Sequence, residues 1–224
     1  QVTLPTSLRE IGASAFQRNT ITSVEIPPNV TTIGMRAFSS NKLTSLELPE
    51  SVQEIGESAF SSNALTTVSM PKKLKTLGNN AFHYNQLRHI YVPQVENLGA
   101  KIYNNNPIEH VTFAEGLKMI APSMFIDNEI SAVVLPSSLQ QVGSAAFKNN
   151  KLDEELACEI VLKSTSRGWK HFYEITDNGF VKNYDVRNKP WEQGLCSDGY
   201  TEDEKREIDR LTAEREARGE QVWY

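Results

Sequence analysis

The sequence predicts an α/β-type repeat fold: a solenoid of short parallel strands in 22-residue units, closed by a small mixed α/β cap at its C-terminal end. Three observations predict it. Pro5, Pro27, Pro49, Pro71, Pro93, Ala114 and Pro136 follow one another at spacings of 22, 22, 22, 22, 21 and 22 residues. An aromatic column (Phe16, Phe38, Phe60, Phe82, Tyr103, Phe125, Phe147) and an asparagine column (Asn19, Asn41, Asn63, Asn85, Asn106, Asn128, Asn150) keep the same register. After about residue 157 no unit recurs. The copies are close in wording: Ala37-Phe38-Ser39-Ser40-Asn41-Lys42-Leu43-Thr44 returns as Ala59-Phe60-Ser61-Ser62-Asn63-Ala64-Leu65-Thr66.

Each element of a unit has a physical reason. Ile21, Val24 and Ile26 alternate inward at the end of their segment, as a short half-buried strand requires. Pro27 stops that strand because it has no N–H to give to a ladder. Ile33-Gly34 turns the chain, with glycine suited to a positive φ or a close backbone approach. Ala37 and Phe38 fill the space behind the strand, one ring over the next. Asn41 and its column sit where water has little room, so their amides must be hydrogen-bonded, most naturally to backbone of the adjoining turns. A single unit cannot cover its own apolar faces, whereas stacked units can.

The pattern of Leu4–Pro27, L-P-x-S-L-x-x-I-G-x-x-A-F-x-x-N-x-[LI]-T-S-V-x-I-P, resembles the BspA-type leucine-rich repeats of bacterial surface proteins. The likeness covers about residues 1–156. It implies a right-handed leucine-rich repeat solenoid of about seven units over residues 1–157. Val2-Thr3-Leu4-Pro5 matches Val24-Glu25-Ile26-Pro27, so the first unit is expected to be cut short upstream. Two units depart from the pattern. The one after Pro93 is a residue short, with Val95 early, and the next has Ala114 for proline and Ala121 for glycine. Regularity is expected to suffer there.

Residues 158–224 read as a capping subdomain, since terminal solenoid units must shield the last apolar layer. Strands are expected at 158–162, 169–175 and 180–186, with turns at Ser166-Arg167-Gly168 and Asp177-Asn178-Gly179. Thr201 and Glu204 make a capping box, and Gly219 a C-cap, for a helix over about 202–218. Cys158 and Cys196 are the only cysteines. They form either a disulfide tying the cap to the last repeat or two buried thiols, and the resemblance to surface proteins favours the disulfide.

Bulk properties exclude some functions. Residues 1–150 carry 11 Lys/Arg and 11 Asp/Glu, so the net charge of -5 belongs to the remainder. No basic stripe is present for a phosphate backbone, which argues against nucleic acid. No apolar run approaches the ~18 residues of a membrane-spanning helix, which argues against membrane insertion in this segment. Phosphate-loop, nucleophile-elbow, zinc-protease and dinucleotide motifs are missing. The histidines (His83, His89, His110, His171) are scattered. A Cys/His pair involving His171 is outweighed by the simpler reading of a structural cystine and a surface histidine. Neither a catalytic residue nor a cofactor is assigned.

The strand face is more informative. Its outward third positions are Ser23, Ser45, Thr67, His89, His110 and Ala132, and its fifth positions Glu25, Glu47, Ser69, Tyr91, Thr112 and Val134. The first three units are small or acidic. From His89 onward, histidine, tyrosine and valine appear, with Arg88 and Glu109 beside them. Arg88, His89, Tyr91, Glu109, His110, Thr112 and Val134 are therefore the candidate partner-binding residues. His89 and His110 lie on adjacent rungs about 5 Å apart, close enough to share a metal, but a third ligand is not evident and no metal is assigned. The resemblance implies a non-enzymatic, adhesin-like module at the cell surface or outside the cell, binding host or matrix proteins or glycans. The alternative is a spacer within a larger surface protein with no ligand of its own.

Overall fold

The computed structural model describes residues 2–143 and 145–152, together with the backbone of 171–175 and 181–185. In chain order the strands are β1 (Glu10–Ile11), β2 (Thr32–Ile33), β3 (Ser45–Glu47), β4 (Glu54–Ile55), β5 (Thr67–Ser69), β6 (Thr76–Leu77) and β7 (His89–Val92). They continue as β8 (Asn97–Leu98), β9 (His110–Phe113), β10 (Met119–Ile120), β11 (Ala132–Val133), β12 (Gln141–Val142), β13 (His171–Ile175) and β14 (Val181–Asp185). The result is a parallel β-solenoid. Each turn contributes a face strand and, after the proline, a two-residue strand that pairs with its equivalents one turn away. Val2 and Val24 bridge in parallel in the first turns.

The face strands form the parallel sheets β3-β5 and β7-β9-β11, and the short strands form β1-β2-β4-β6-β8 and β10-β12. The α/β-type expectation is not met in the repeats: no helix occurs among the described residues. The reason lies in the backbone. Fourteen non-glycine residues adopt a left-handed φ of 52–58°, two in each unit and four apart, as at Arg36 and Ser40 or Ser58 and Ser62. A left-handed residue every few positions breaks any helical run and leaves two consecutive tight turns. Each such residue costs about 1 kcal/mol, and hydrogen bonds between units offset it. Arg36 N–H donates to Glu57 O at 2.8 Å and Phe38 N–H to Ala59 O at 2.8 Å, and the same pattern recurs up the stack.

The core is one continuous column from Ile11 to Leu152. Phe16, Phe38, Phe60, Phe82, Tyr103, Phe125 and Phe147 stack at centroid distances of 5.1 to 5.8 Å. Burial of each ring contributes about 2–3 kcal/mol. Tyr103 is the exception in chemistry, because its hydroxyl is buried without a hydrogen-bond partner. That burial pushes its phenol well above the ordinary range.

The asparagine side chains bind each unit to the one before. Asn41 Oδ1 accepts from Ile21 N–H at 3.1 Å, while its Nδ2 donates to Phe16 O at 2.8 Å and Phe38 O at 3.1 Å. Asn63, Asn85, Asn106, Asn128 and Asn150 likewise accept from an N–H of the preceding unit (Leu43, Leu65, Leu87, Ile108 and Ile130, each two residues before a face strand) and donate to that unit's aromatic-column carbonyl. Asn19 is exposed and donates only to Phe16 O and Gln17 O in its own unit.

Glycine serves close approach and not positive φ at the Ile-Gly position. A Cβ on Gly78 would stand 2.5 Å from Glu57 N and 2.6 Å from Gly56 C. Ala121 holds the one alanine of this column, and here the short-strand ladder divides, with β8 ending one sheet and β10 beginning the next. The expected irregularity of these two units thus takes the form of a parted ladder.

Near the C-terminus, β13 and β14 pair antiparallel, with Phe172 opposite Tyr184 and Ile175 opposite Val181. These fall within the strands expected at 169–175 and 180–186. The strand at 158–162, the two turns, the helix over 202–218, the boundary at 157, Cys158 and Cys196 lie outside the described residues.

Candidate functional site

The period-two geometry of the face strands sends alternate residues to opposite sides. In β7, His89 and Tyr91 are exposed while Ile90 and Val92 are buried, and β9 repeats this with His110 and Thr112 outside and Val111 and Phe113 inside. All twelve third- and fifth-position residues are exposed. The ladder register aligns them: His89 pairs with His110, His110 with Ala132, and Tyr91 with Thr112.

The His89 and His110 rings stack, with centroids 5.1 Å apart and planes 8° from parallel. Arg88 and Glu109 form an ion pair across the same two turns, at one side of the histidines. Tyr91 is 49% and Val134 84% exposed, against the small Ser23, Ser45 and Thr67 of the preceding units. The structure therefore brings Arg88, His89, Tyr91, Glu109, His110 and Thr112 together on two paired strands. Val134 follows Val133, the last residue of β11, one turn further on.

Two features escaped sequence reasoning. Tyr84 is 56% exposed and left-handed at φ 52°, with its ring 4.2 Å from that of His83. His83 Nε2 lies 3.2 Å from Asn105 Nδ2, and burial, with Lys101 nearby, holds its imidazole below the ordinary range. The signal was available, since Tyr84 falls in a column otherwise filled by Arg18, Ser40, Ser62, Asn105, Asp127 and Asn149. The second feature is an open cleft of about 470 Å³ where β8 and β10 part. Glu57, Glu96, Asn97 and Met119 are among its lining residues.

Among the described residues, no three metal-ligating side chains converge and no helix is long and apolar enough to cross a membrane. What the geometry defines is a repeat protein with an extended, ordered surface of side chains held on a parallel ladder. A family model described as the BspA-type leucine-rich repeat region matches residues 1–109 and 43–153, with six copies. The chain belongs to the BspA-type leucine-rich repeat family.

Among solved structures, a leucine-rich repeat protein from Bacteroides ovatus ATCC 8483 is similar at 22% identity and a TM-score of 0.55, over 65% of this chain and 46% of that one. The pneumococcal vaccine antigen PcpA is similar at 23% identity and a TM-score of 0.44, over 67% of this chain and 33% of its own. This chain thus spans less than half the length of either neighbour, and the first likeness shows the fold alone. A comparison with curated proteins finds no match.

Proposed function

We propose that this chain is a non-enzymatic interaction module of a bacterial surface protein, binding a protein or glycan through the strand face of its fourth to sixth units. The observation that carries the reading is a change of outward chemistry on an unchanged inner frame. Ile90, Val111 and Val133 are buried just as Leu46 is, but the exposed positions beside them pass from Ser45 and Glu47 to His89, Tyr91, His110 and Val134. Imidazole and phenol rings on a rigid ladder offer large contact area with little side-chain entropy to lose, which is what an interface anchor needs. The Arg88–Glu109 pair supplies a charged rim. Family membership supports a surface location outside the cell and host or matrix proteins as the class of partner.

The spacer reading draws on the first three units, whose strand face carries only small and acidic residues. Capture of extracellular and host-matrix proteins on the immobilised chain separates the two. A partner retained by the wild type and lost by His89→Ala/Tyr91→Ala supports binding through this face. Retention of nothing by either chain supports the spacer.

A further inference from the structure

We infer that His89 and His110 form a two-imidazole site for a divalent first-row transition ion. The ladder register sets the two residues directly opposite each other on β7 and β9, so their separation is fixed by backbone pairing. Both side chains are exposed, and their rings stack at 5.1 Å with an 8° interplanar angle. No described residue hydrogen-bonds either ring, so only their mutual stacking has to be given up before a nitrogen of each can bind.

Two imidazole nitrogens bound to one ion at ~2.1 Å each stand roughly 3.3 Å apart. Because each lone pair lies in its ring plane, the two rings must leave the parallel stack and turn a nitrogen of each toward a common point. Free χ rotation of exposed side chains supplies this, and the flanking third-position residues, Thr67 and Ala132, are too small to obstruct it. Glu109 is held by Arg88, so the protein contributes two nitrogen ligands and no carboxylate, and water fills the open positions. That donor set selects zinc, copper or nickel over calcium and magnesium, which require oxygen cages. The site stands or falls separately from the proposed partner, because its test contains no partner.

The test is a Zn²⁺ titration of the whole chain followed through the imidazole NMR resonances of each histidine. Substoichiometric Zn²⁺ is expected to shift His89 and His110 together. His89→Gln should weaken the response of His110 at least about tenfold, and His110→Gln that of His89 likewise, because the second ligand binds intramolecularly. Unchanged affinity of either ring after removal of the other would overturn the shared site. So would a wild-type chain whose His89 and His110 resonances stay still at millimolar Zn²⁺. Both positions are exposed, so neither substitution disturbs the core.

Discussion

Asn85 Oδ1 accepts the Leu65 N–H at 3.1 Å, across the boundary between two repeats. The same side chain donates to Phe60 O at 3.0 Å and Phe82 O at 3.1 Å, so one buried amide satisfies three backbone groups in two units. Removing it leaves all three without that partner in a place water does not reach. Asn85→Ala is expected to destabilise the solenoid by about 3 kcal/mol, read from the midpoint of denaturant unfolding. Asn19→Ala, at an exposed position bonded only within its own unit, should change stability by less than about 0.5 kcal/mol. Equal losses at the two positions would contradict the role given to the column.

Tyr103 poses the opposite case. Its hydroxyl is buried in an otherwise phenylalanine stack and has no partner. Tyr103→Phe should raise stability by about 1 kcal/mol through relief of an unsatisfied polar group, measured by the same unfolding transition. A loss of stability would show that the hydroxyl is satisfied in solution.

The glycine column makes a paired prediction. A methyl group on Gly78 meets backbone at 2.5 Å, whereas one on Gly12 meets nothing within 4 Å. Gly78→Ala should cost about 2 kcal/mol and Gly12→Ala almost nothing. Amide hydrogen exchange should also show faster opening of β6 and its neighbours in the Gly78 variant alone.

His83 gives a pH dependence. Burial, reinforced by Lys101, lowers its folded-state pKa, so the unfolded chain takes up a proton more readily. The stabilisation associated with neutral His83 is therefore full above the unfolded value of about 6.5 and is lost as pH falls below it. The thermal midpoint of the wild type should drop between pH 7.5 and 5.5, and His83→Gln should flatten part of that drop. An unchanged slope in the variant would remove His83 as a cause.

How much was legible in the sequence follows from what repeats. Phe38, Asn41 and Ile33 could be assigned inward because identical chemistry recurs at one period, and the outward direction of His89 and Tyr91 followed from the two-residue alternation of a strand. The turns were less legible. Their left-handed positions are held by Arg36, Ser40 and Tyr84 rather than by glycine, so the usual sequence mark of a tight turn is missing and an α/β-type unit was expected instead. Ala121 and Val95 mark a disturbance in the sequence, but only the backbone pairing shows that it takes the form of a parted ladder between β8 and β10. Tyr84 lies on a turn and not on a strand, so the two-residue alternation does not reveal its exposure. The cap offered no repeated column to align, and so no internal comparison.

Recognition through the strand face of units four to six is the central proposal to be tested. The direct test is the affinity of a captured partner for three chains: wild type, His89→Ala/Tyr91→Ala, and Ser45→Ala/Glu47→Ala at the equivalent positions two units earlier. The account predicts a loss of at least about tenfold for the first variant, the effect of truncating an interface anchor, and no change for the second. Equal affinity for all three chains, or a loss confined to the Ser45/Glu47 variant, would contradict it.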